Sequence, residues 1–166
     1  MKNNIALIIV LFFFSFLLSE ETNESYFVEE YVLRWEYDQI GDIEIIIEQN
    51  DINSSINLCS SSTTCVVLAA KDAKLLSDQL NNVNDFYSRF KTTEGDLTEE
   101  IVVVEDKLEL EYSKDITNGF RIKIYDQKTY DSVYLSRKEA TKLSNLLSNS
   151  DKLVKFLKDK INSCLD

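Results

Sequence analysis

A ten-residue segment of this chain recurs 67 positions further along the sequence. Residues 68–77 read LAAKDAKLLS and residues 135–144 read LSRKEATKLS, so that leucine, lysine, an acidic residue, alanine and serine return in step. Similarity at a fixed spacing is the sequence mark of a structural unit that is used more than once. The chain is therefore predicted to contain two copies of one unit, at about residues 26–94 and 99–166.

Each copy ends in a helical pattern. Apolar residues recur at alternating spacings of three and four from residue 69 to residue 90, and again from residue 136 onward. That spacing places them on one stripe of an amphipathic helix. Ser136 and Glu139 occupy the positions of a capping box, which predicts where the second helix begins. Ser150 interrupts the second stripe, so this helix is predicted to kink or break near Ser150.

Each copy begins with strand patterns, because β-branched and aromatic residues there recur with a period of two. In the first copy one strand carries Trp35 and Tyr37 on a shared face, and three more cover residues 43–48, 56–59 and 65–68. The second copy has strands at residues 101–104, 107–112, 120–125 and 132–135. Neither copy alone can bury a sheet face and a long helix. Residues 20–166 are therefore predicted to form one α+β domain with a pseudo-twofold axis, in which antiparallel sheet packs on two long amphipathic helices.

Residues 1–19 have the features of a cleavable secretory signal. Lys2 precedes an apolar run over residues 5–18 that only Ser15 interrupts. The run is shorter than the roughly 20 apolar residues of a membrane-spanning helix, so cleavage is expected rather than anchoring. Removal of residues 1–19 from 166 leaves 147 residues, enough for one domain with its own core. The mature protein is expected to be secreted or in the lumen of the secretory pathway, without stable membrane insertion.

Export makes the cysteines and two asparagines candidate modification sites. Five residues separate Cys59 from Cys65, which allows a disulfide across a hairpin turn in an oxidising compartment. Cys164 then stays free and buried, bonds to one of the other two, or links two chains as a homodimer. Asn23 and Asn53 each begin an N-glycosylation pattern, which matters if the source organism glycosylates its proteins.

The sequence lacks the residues of several common catalytic sites. It contains no histidine, which removes the commonest general base and the commonest metal ligand. Its three glycines form no phosphate-binding loop, and no closely spaced cysteine pair suits zinc, so no cofactor or metal is predicted. A pair of carboxylates could still hydrolyse glycosides, which makes an extracellular hydrolase an alternative function. The candidate acids are Glu29 with Glu30, Glu99 with Glu100, Glu105 with Asp106, and the loop at Asp51.

Charge is distributed unevenly along a chain whose formal net charge is −11. Arg34 is the single basic residue between residues 20 and 70, whereas basic residues outnumber acidic ones after residue 120. The order of four strands and a helix, used twice, resembles the PUR and Whirly families of single-strand nucleic-acid binders, and also a class I histocompatibility platform. The first resemblance implies a basic sheet face with stacking aromatics. Acidic surroundings would repel phosphate, so this is a third, disfavoured alternative and no nucleic-acid partner is expected. The Arg121, Lys123 and Lys128 cluster is interpreted as balancing neighbouring acids.

The leading prediction is a secreted, non-enzymatic binding protein whose partner is another protein. An exported and duplicated scaffold without the usual catalytic residues favours this function. Tyr31, Trp35 and Tyr37, on the first strand, are the predicted interface residues, since tyrosine and tryptophan often anchor protein interfaces. At least half of these three are also expected to contribute to the core.

Overall fold

A computed structural model describes residues 32–50, 53–115, 117 and 119–165 of the chain, with side chains up to residue 160. The first half contains β1 (Leu33–Ile40), β2 (Ile43–Gln49), β3 (Ser54–Cys59), β4 (Cys65–Leu68), α1 (Ala70–Leu80) and α2 (Val83–Thr92). The second half contains β5 (Leu97–Val104), β6 (Leu108–Asp115), β7 (Gly119–Asp126), β8 (Ser132–Leu135), α3 (Arg137–Leu147) and α4 (Ser150–Leu165). The predicted α+β class is confirmed.

The strands form two separate antiparallel sheets. One has the order β1-β2-β3-β4 and the other has the order β5-β6-β7-β8, so each half builds its own four-stranded meander. Strand β4 lies against β7 and β8, which brings the two sheets together. Strands β1 and β5 are therefore the edges on the far sides, and each of them has one register shift. Such bulges are common on edge strands, where they twist the strand away from unwanted pairing.

Both halves end in two helices rather than one. The predicted break near Ser150 is present, because α3 ends at Leu147 and α4 begins at Ser150. The expectation of one continuous first helix was wrong, since α1 and α2 are separate. The breaks are equivalent: the main-chain carbonyls of Asn82 and Asn149, 67 residues apart, accept the first hydrogen bonds of α2 and α4. Asparagine competes with the helical backbone for hydrogen bonds and so favours helix starts over helix interiors.

The second helix of each half packs on the sheet of the other half. The ring of Phe86, on α2, stacks on Tyr112 of β6 with ring centroids 4.2 Å apart. In the reciprocal position, α4 lies on β2 and β3. Helices α1 and α3 pack on each other between the sheets through the small buried residues Ala73, Ser77, Ala140 and Ser144. Residues of both halves therefore belong to one hydrophobic core.

The last hairpin of each half is closed by a different device. Cys59 and Cys65 pair directly across β3 and β4 with Cα atoms 4.1 Å apart, and they form the predicted disulfide. In the corresponding β7–β8 hairpin, the buried carboxylate of Asp126 accepts a hydrogen bond from the Lys128 amide at 2.8 Å and a longer one from Thr129. Asp126 thus folds its own turn, as aspartate does in an Asx-turn.

Candidate functional site

Three aromatic side chains meet at the outer edge of the first sheet, and we call this group the aromatic corner: Trp35, Tyr37 and Phe156. Trp35 lies in the middle of β1 and points to the helix-facing side of the sheet, beside Ile47 of β2. Tyr37 sits at the register shift of β1, edge-on to the Trp35 ring with centroids 4.9 Å apart. Phe156 approaches from α4, with its centroid 5.2 Å from that of Trp35.

The aromatic corner is open to solvent, although Trp35 is half-buried against the core. Phe156 exposes 47% and Tyr37 exposes 37% of its surface. The neighbouring Leu33 is 42% exposed, and β1 as a whole is exposed along nearly its full length. Clustered exposed aromatic and apolar side chains on a folded protein are typical of interaction sites, whereas single exposed apolar residues are ordinary.

The second half of the molecule has a salt bridge at the equivalent position. Phe156 follows Arg89 by 67 residues, which is the spacing that relates α4 to α2. The corresponding rows across the two sheets are Trp35–Ile47–Ile56–Leu68 and Glu99–Tyr112–Ile122–Leu135. Trp35 and Glu99 are therefore counterparts. Where the first sheet has Trp35 against Phe156 of α4, the second sheet has Glu99 against Arg89 of α2, with Nη2 and Oε2 2.9 Å apart.

This internal comparison shows what the fold requires at the corner. An exposed charged pair joins α2 to β5, the edge strand of the second sheet, so aromatic rings are not needed to close this part of the fold. Folding alone therefore does not require Trp35 and Phe156 to be aromatic. The first sheet has exposed aromatic rings where the second sheet has an exposed ion pair. Exposed aromatic residues of this kind are typical of the residues that anchor protein interfaces.

Sequence reasoning identified Trp35 and Tyr37 but missed Phe156. The spacing of three and four from residue 136 onward leads to Val154 and Leu157, and Phe156 does not fall on this stripe. Lysines at 155 and 158 flank it, and the Lys160 ammonium lies 5.6 Å from its ring centroid. A phenylalanine on the charged face of an amphipathic helix was the signal that could have found it.

The other predicted sites are placed as follows. Asn53 is exposed just before β3, while Tyr31 and Asn23 lie outside the described residues. Cys164 belongs to α4 by its backbone, and its side chain also lies outside the description. Neither glycosylation nor a link through Cys164 is tested by these placements, and both stay predictions.

The carboxylates proposed for catalysis do not converge among the described residues. Glu99 and Glu100 are consecutive on β5, opposite Tyr112 and Glu111 respectively, so they point to opposite faces of the sheet. Glu105 and Asp106 form the exposed turn between β5 and β6. Glu29, Glu30 and Asp51 lie outside the described residues. No group of three acidic or cysteine side chains suited to a metal ion occurs in the described ranges.

The basic cluster of the second half is only partly explained by charge balance. Lys123 lies directly across from Glu111 on β6, as that interpretation requires. Arg121 lies across from Ser113 instead, is exposed, and makes no salt bridge within the described part of the chain. Its charge therefore needs a different explanation.

Among the helices that the structure describes, none combines the length and the apolar composition required to cross a membrane. The disulfide is compatible with an extracellular protein. Comparison of the chain with protein-family models, with curated proteins and with solved structures gave no match, so the element order shared with the PUR and Whirly families is not accompanied by a detectable similarity.

Proposed function

We propose that this chain is an exported, non-enzymatic binding protein and that it binds a protein partner through the aromatic corner. The observation that carries the proposal is the pairing of Trp35 with Phe156 at a position where the other half of the same fold uses Glu99 with Arg89. Partly buried tryptophan and tyrosine are over-represented among the residues that dominate binding energy in protein interfaces.

The chemistry of the corner favours a protein partner. Its three rings offer apolar area and lie beside an exposed edge strand, β1. Edge strands present unpaired backbone groups, which an extended segment of another protein can use. Trp35 and Tyr37 belong to the acidic first part of the chain, while lysines of α4 lie around Phe156.

The proposal includes export, with cleavage of the chain after about Ser19. The disulfide between Cys59 and Cys65 supports it, because such bonds persist mainly in oxidising compartments. Amino-terminal sequencing of the extracellular protein should begin within a few residues of Glu20. Extracellular protein that still begins at Met1 would contradict cleavage.

The alternative of a carboxylate-dependent hydrolase receives no support from the described residues. A glycosidase needs two carboxyl groups facing one substrate at a separation of about 5 to 10 Å. Glu99 and Glu100 face opposite sides of their sheet, and Glu99 is held by Arg89. No specific observation favours this alternative over binding.

The test replaces the aromatic pair at the first sheet with the charged pair found at the second sheet. The variant Trp35→Glu/Phe156→Arg should fold normally, since it reproduces a pair that the fold already accommodates. Tagged residues 20–166, as wild type and as this variant, are incubated with extracellular material from the source, and retained proteins are identified by mass spectrometry. A protein retained by the wild type and lost with the variant supports the proposal.

A matched control removes an exposed aromatic residue elsewhere. Tyr130 is 78% exposed in the β7–β8 turn and has a positive φ, which asparagine tolerates, so Tyr130→Asn should fold and retain the same partner. Equal retention of every captured protein by wild type and by the corner variant would refute binding through the corner. Retention of nothing above the level of the bare support would refute the proposed function.

A further inference from the structure

A second candidate binding surface lies in the other half of the molecule, around Phe120. Two adjacent depressions share this ring. One, of about 210 Å³, is lined by Tyr87, Phe90, Lys91, Lys114, Gly119 and Phe120, and the other, of about 390 Å³, by Phe120, Arg121, Tyr134, Leu135 and Ser136. We call them together the Phe120 hollow. It is built from the end of β6, from β7 and β8, and from the start of α3 and the end of α2.

The hollow combines exposed bases with aromatic walls. Tyr87 meets Phe120 edge-on with centroids 5.3 Å apart, and the Arg137 guanidinium lies 4.3 Å from the centroid of Tyr87. Tyr134 is 56% exposed and, like Arg121, alternates with buried residues of its strand, so these two side chains lie on the outer face of the sheet, while Phe120 lies on its helix-facing side. The hollow therefore extends around the end of the sheet where β7 begins and β8 ends. Arg121, Arg137 and Lys91 are all exposed, and none of them makes a salt bridge within the described residues. Three bases thus surround this position although the whole chain carries a net charge of −11.

The equivalent place at the first sheet lacks these rings and both arginines, and only Lys91 has a basic counterpart there, Lys158. Strand register and the spacing of 67 residues give the counterparts of Phe120, Arg121, Tyr134, Arg137 and Tyr87 as Ser54, Ser55, Val67, Ala70 and Val154. Five positions therefore change together from small, neutral residues to basic or aromatic ones. The same fold is built without these side chains in its other half, so the fold does not require them.

We infer that the Phe120 hollow binds a short acidic peptide segment of a partner protein. Arg121 and Arg137 supply guanidinium groups that bind carboxylates in a bidentate fashion. Tyr87, Phe120 and Tyr134 supply ring surface for an apolar or aromatic side chain between the acidic residues. This inference concerns a surface different from the aromatic corner and stands whether or not the corner binds a partner.

The size and borders of the hollow favour a short peptide over an anionic polymer. Two depressions of about 210 and 390 Å³ accommodate a few side chains. On the outer face of the same sheet, Glu111 lies opposite Lys123 and Glu109 lies opposite Tyr125, so carboxylates begin one residue pair beyond Arg121. A nucleic acid or sulfated glycan carries regularly spaced charges along its length, and its continuation across this sheet would meet these carboxylates.

The experiment measures binding of the fluorescently labelled pentapeptide Glu-Glu-Tyr-Glu-Glu to residues 20–166 by fluorescence anisotropy at 50 mM salt. Arg121→Gln and Arg137→Gln should each weaken binding by about tenfold, as expected for the loss of one charge-assisted hydrogen-bonding group. The matched control is Lys158→Gln, because Lys158 is the counterpart of Lys91 in the other half and the variant changes the net charge equally. This control should leave affinity within about twofold, on the scale of a screened distant charge.

Three results would overturn the inference. One is absence of peptide binding at millimolar concentration. Another is an equal loss of affinity in Arg121→Gln and Lys158→Gln, which would show attraction to overall charge alone. The last is tighter, Arg121-dependent binding of a twelve-residue oligothymidylate or a heparin fragment, which would assign the hollow to that polymer. The Trp35→Glu/Phe156→Arg variant should bind the peptide as the wild type does, so failure at one surface is distinguishable from failure at the other.

Discussion

Ser77 and Ser144 each donate a hydrogen bond to the main-chain carbonyl oxygen of the other, at 2.8 and 2.9 Å. The two residues are 67 positions apart, which is the spacing of the sequence repeat, so each is the other's counterpart. They are buried at the crossing of α1 and α3, where their hydroxyl oxygens are 3.3 Å apart. The predicted pseudo-twofold axis would therefore pass between these two side chains.

Replacement of either serine by alanine should destabilise the protein by about 1 kcal/mol, the usual net value of one hydrogen bond. The main-chain carbonyls keep their helical partners, the amides of Asn81 and Ser148, so neither variant leaves them unpaired. Ser77→Leu should cost more, about 1 to 3 kcal/mol or above, because it overpacks a close helix crossing. Urea denaturation measures these values. A leucine variant as stable as the alanine variant would contradict the close crossing.

Gly41→Ala should be more destabilising than Gly119→Ala. Both glycines have positive φ, of 62° and 71°, where alanine costs about 1 to 2 kcal/mol. A Cβ at Gly119 would meet nothing within 4 Å, whereas a Cβ at Gly41 would overlap Oε1 of Glu139. Glu139 is held by its capping bond from the Ser136 amide at 2.7 Å, so it cannot move away without losing the cap, worth about 1 kcal/mol.

The contact between Gly41 and Glu139 can be isolated by a double-mutant cycle. In a Glu139→Ala background, Gly41→Ala should cost only as much as Gly119→Ala does in the wild type, because the colliding carboxylate is gone. Thermal denaturation of the four proteins of the cycle provides the comparison. Additive effects of the two substitutions would show that the turn and the helix start are not coupled.

Tyr112 should make the protein less stable at alkaline pH. Burial, and after it the nearby Glu99 carboxylate, raises the pKa of the Tyr112 hydroxyl above its ordinary value of 10.0. Above that pH the unfolded chain loses this proton and the folded chain keeps it, so the free energy of unfolding falls as pH rises. Below pH 10 the stabilising contribution is complete.

Tyr112→Phe should therefore flatten the loss of stability between pH 10 and 11. It should also cost about 1 kcal/mol at neutral pH, because the hydroxyl donates to the Gln79 carbonyl at 3.1 Å. Tyr134→Phe, at an exposed tyrosine, serves as the control for the removal of a phenolic hydroxyl. Urea titrations across pH 7 to 11 measure both effects. Identical alkaline profiles for wild type and Tyr112→Phe would contradict the prediction.

Loss of the disulfide between Cys59 and Cys65 should lower stability by about 2 kcal/mol, as expected for closure of a short loop. The two cysteines are separated by six positions, so the loss of denatured-state entropy is small compared with that of a long loop. Denaturation of the Cys59→Ala/Cys65→Ala variant measures the effect. Adding a reductant should destabilise the wild type and leave this variant unchanged, and equal responses would argue against the bond.

Features that depend on neighbouring residues were the most predictable from the sequence. The Ser136–Glu139 capping box, the β7 and β8 strands and the Cys59–Cys65 pair each depend on short spacings, and the structure has all of them. The break between α1 and α2 was missed, because the apolar stripe from residue 69 to residue 90 continues without interruption across Asn81 and Asn82. Its counterpart was found only because Ser150 interrupts an apolar stripe.

The correspondence between residues of the two sheets could not be predicted by counting positions along the sequence. Helical residues of the two halves keep the spacing of 67, but Trp35 and its counterpart Glu99 do not, because corresponding hairpins differ in length. A gapless alignment of the two halves therefore pairs their helices correctly but does not pair Trp35 of β1 with Glu99 of β5. Phe156 meets Trp35 only because α4 crosses to the first sheet, and a period in the sequence does not indicate which sheet a helix covers.

The exchange of helices between the halves sets the order in which the molecule can be completed during synthesis. Strand β1 ends at Ile40, yet the helix that covers β2 and β3 begins at Ser150. A nascent chain that has been made only as far as α2 holds an uncovered first sheet and the rings of Phe86 and Phe90 without the second sheet to receive them. Such a chain cannot complete its core until α4 has emerged, so the two halves have to fold together rather than one after the other.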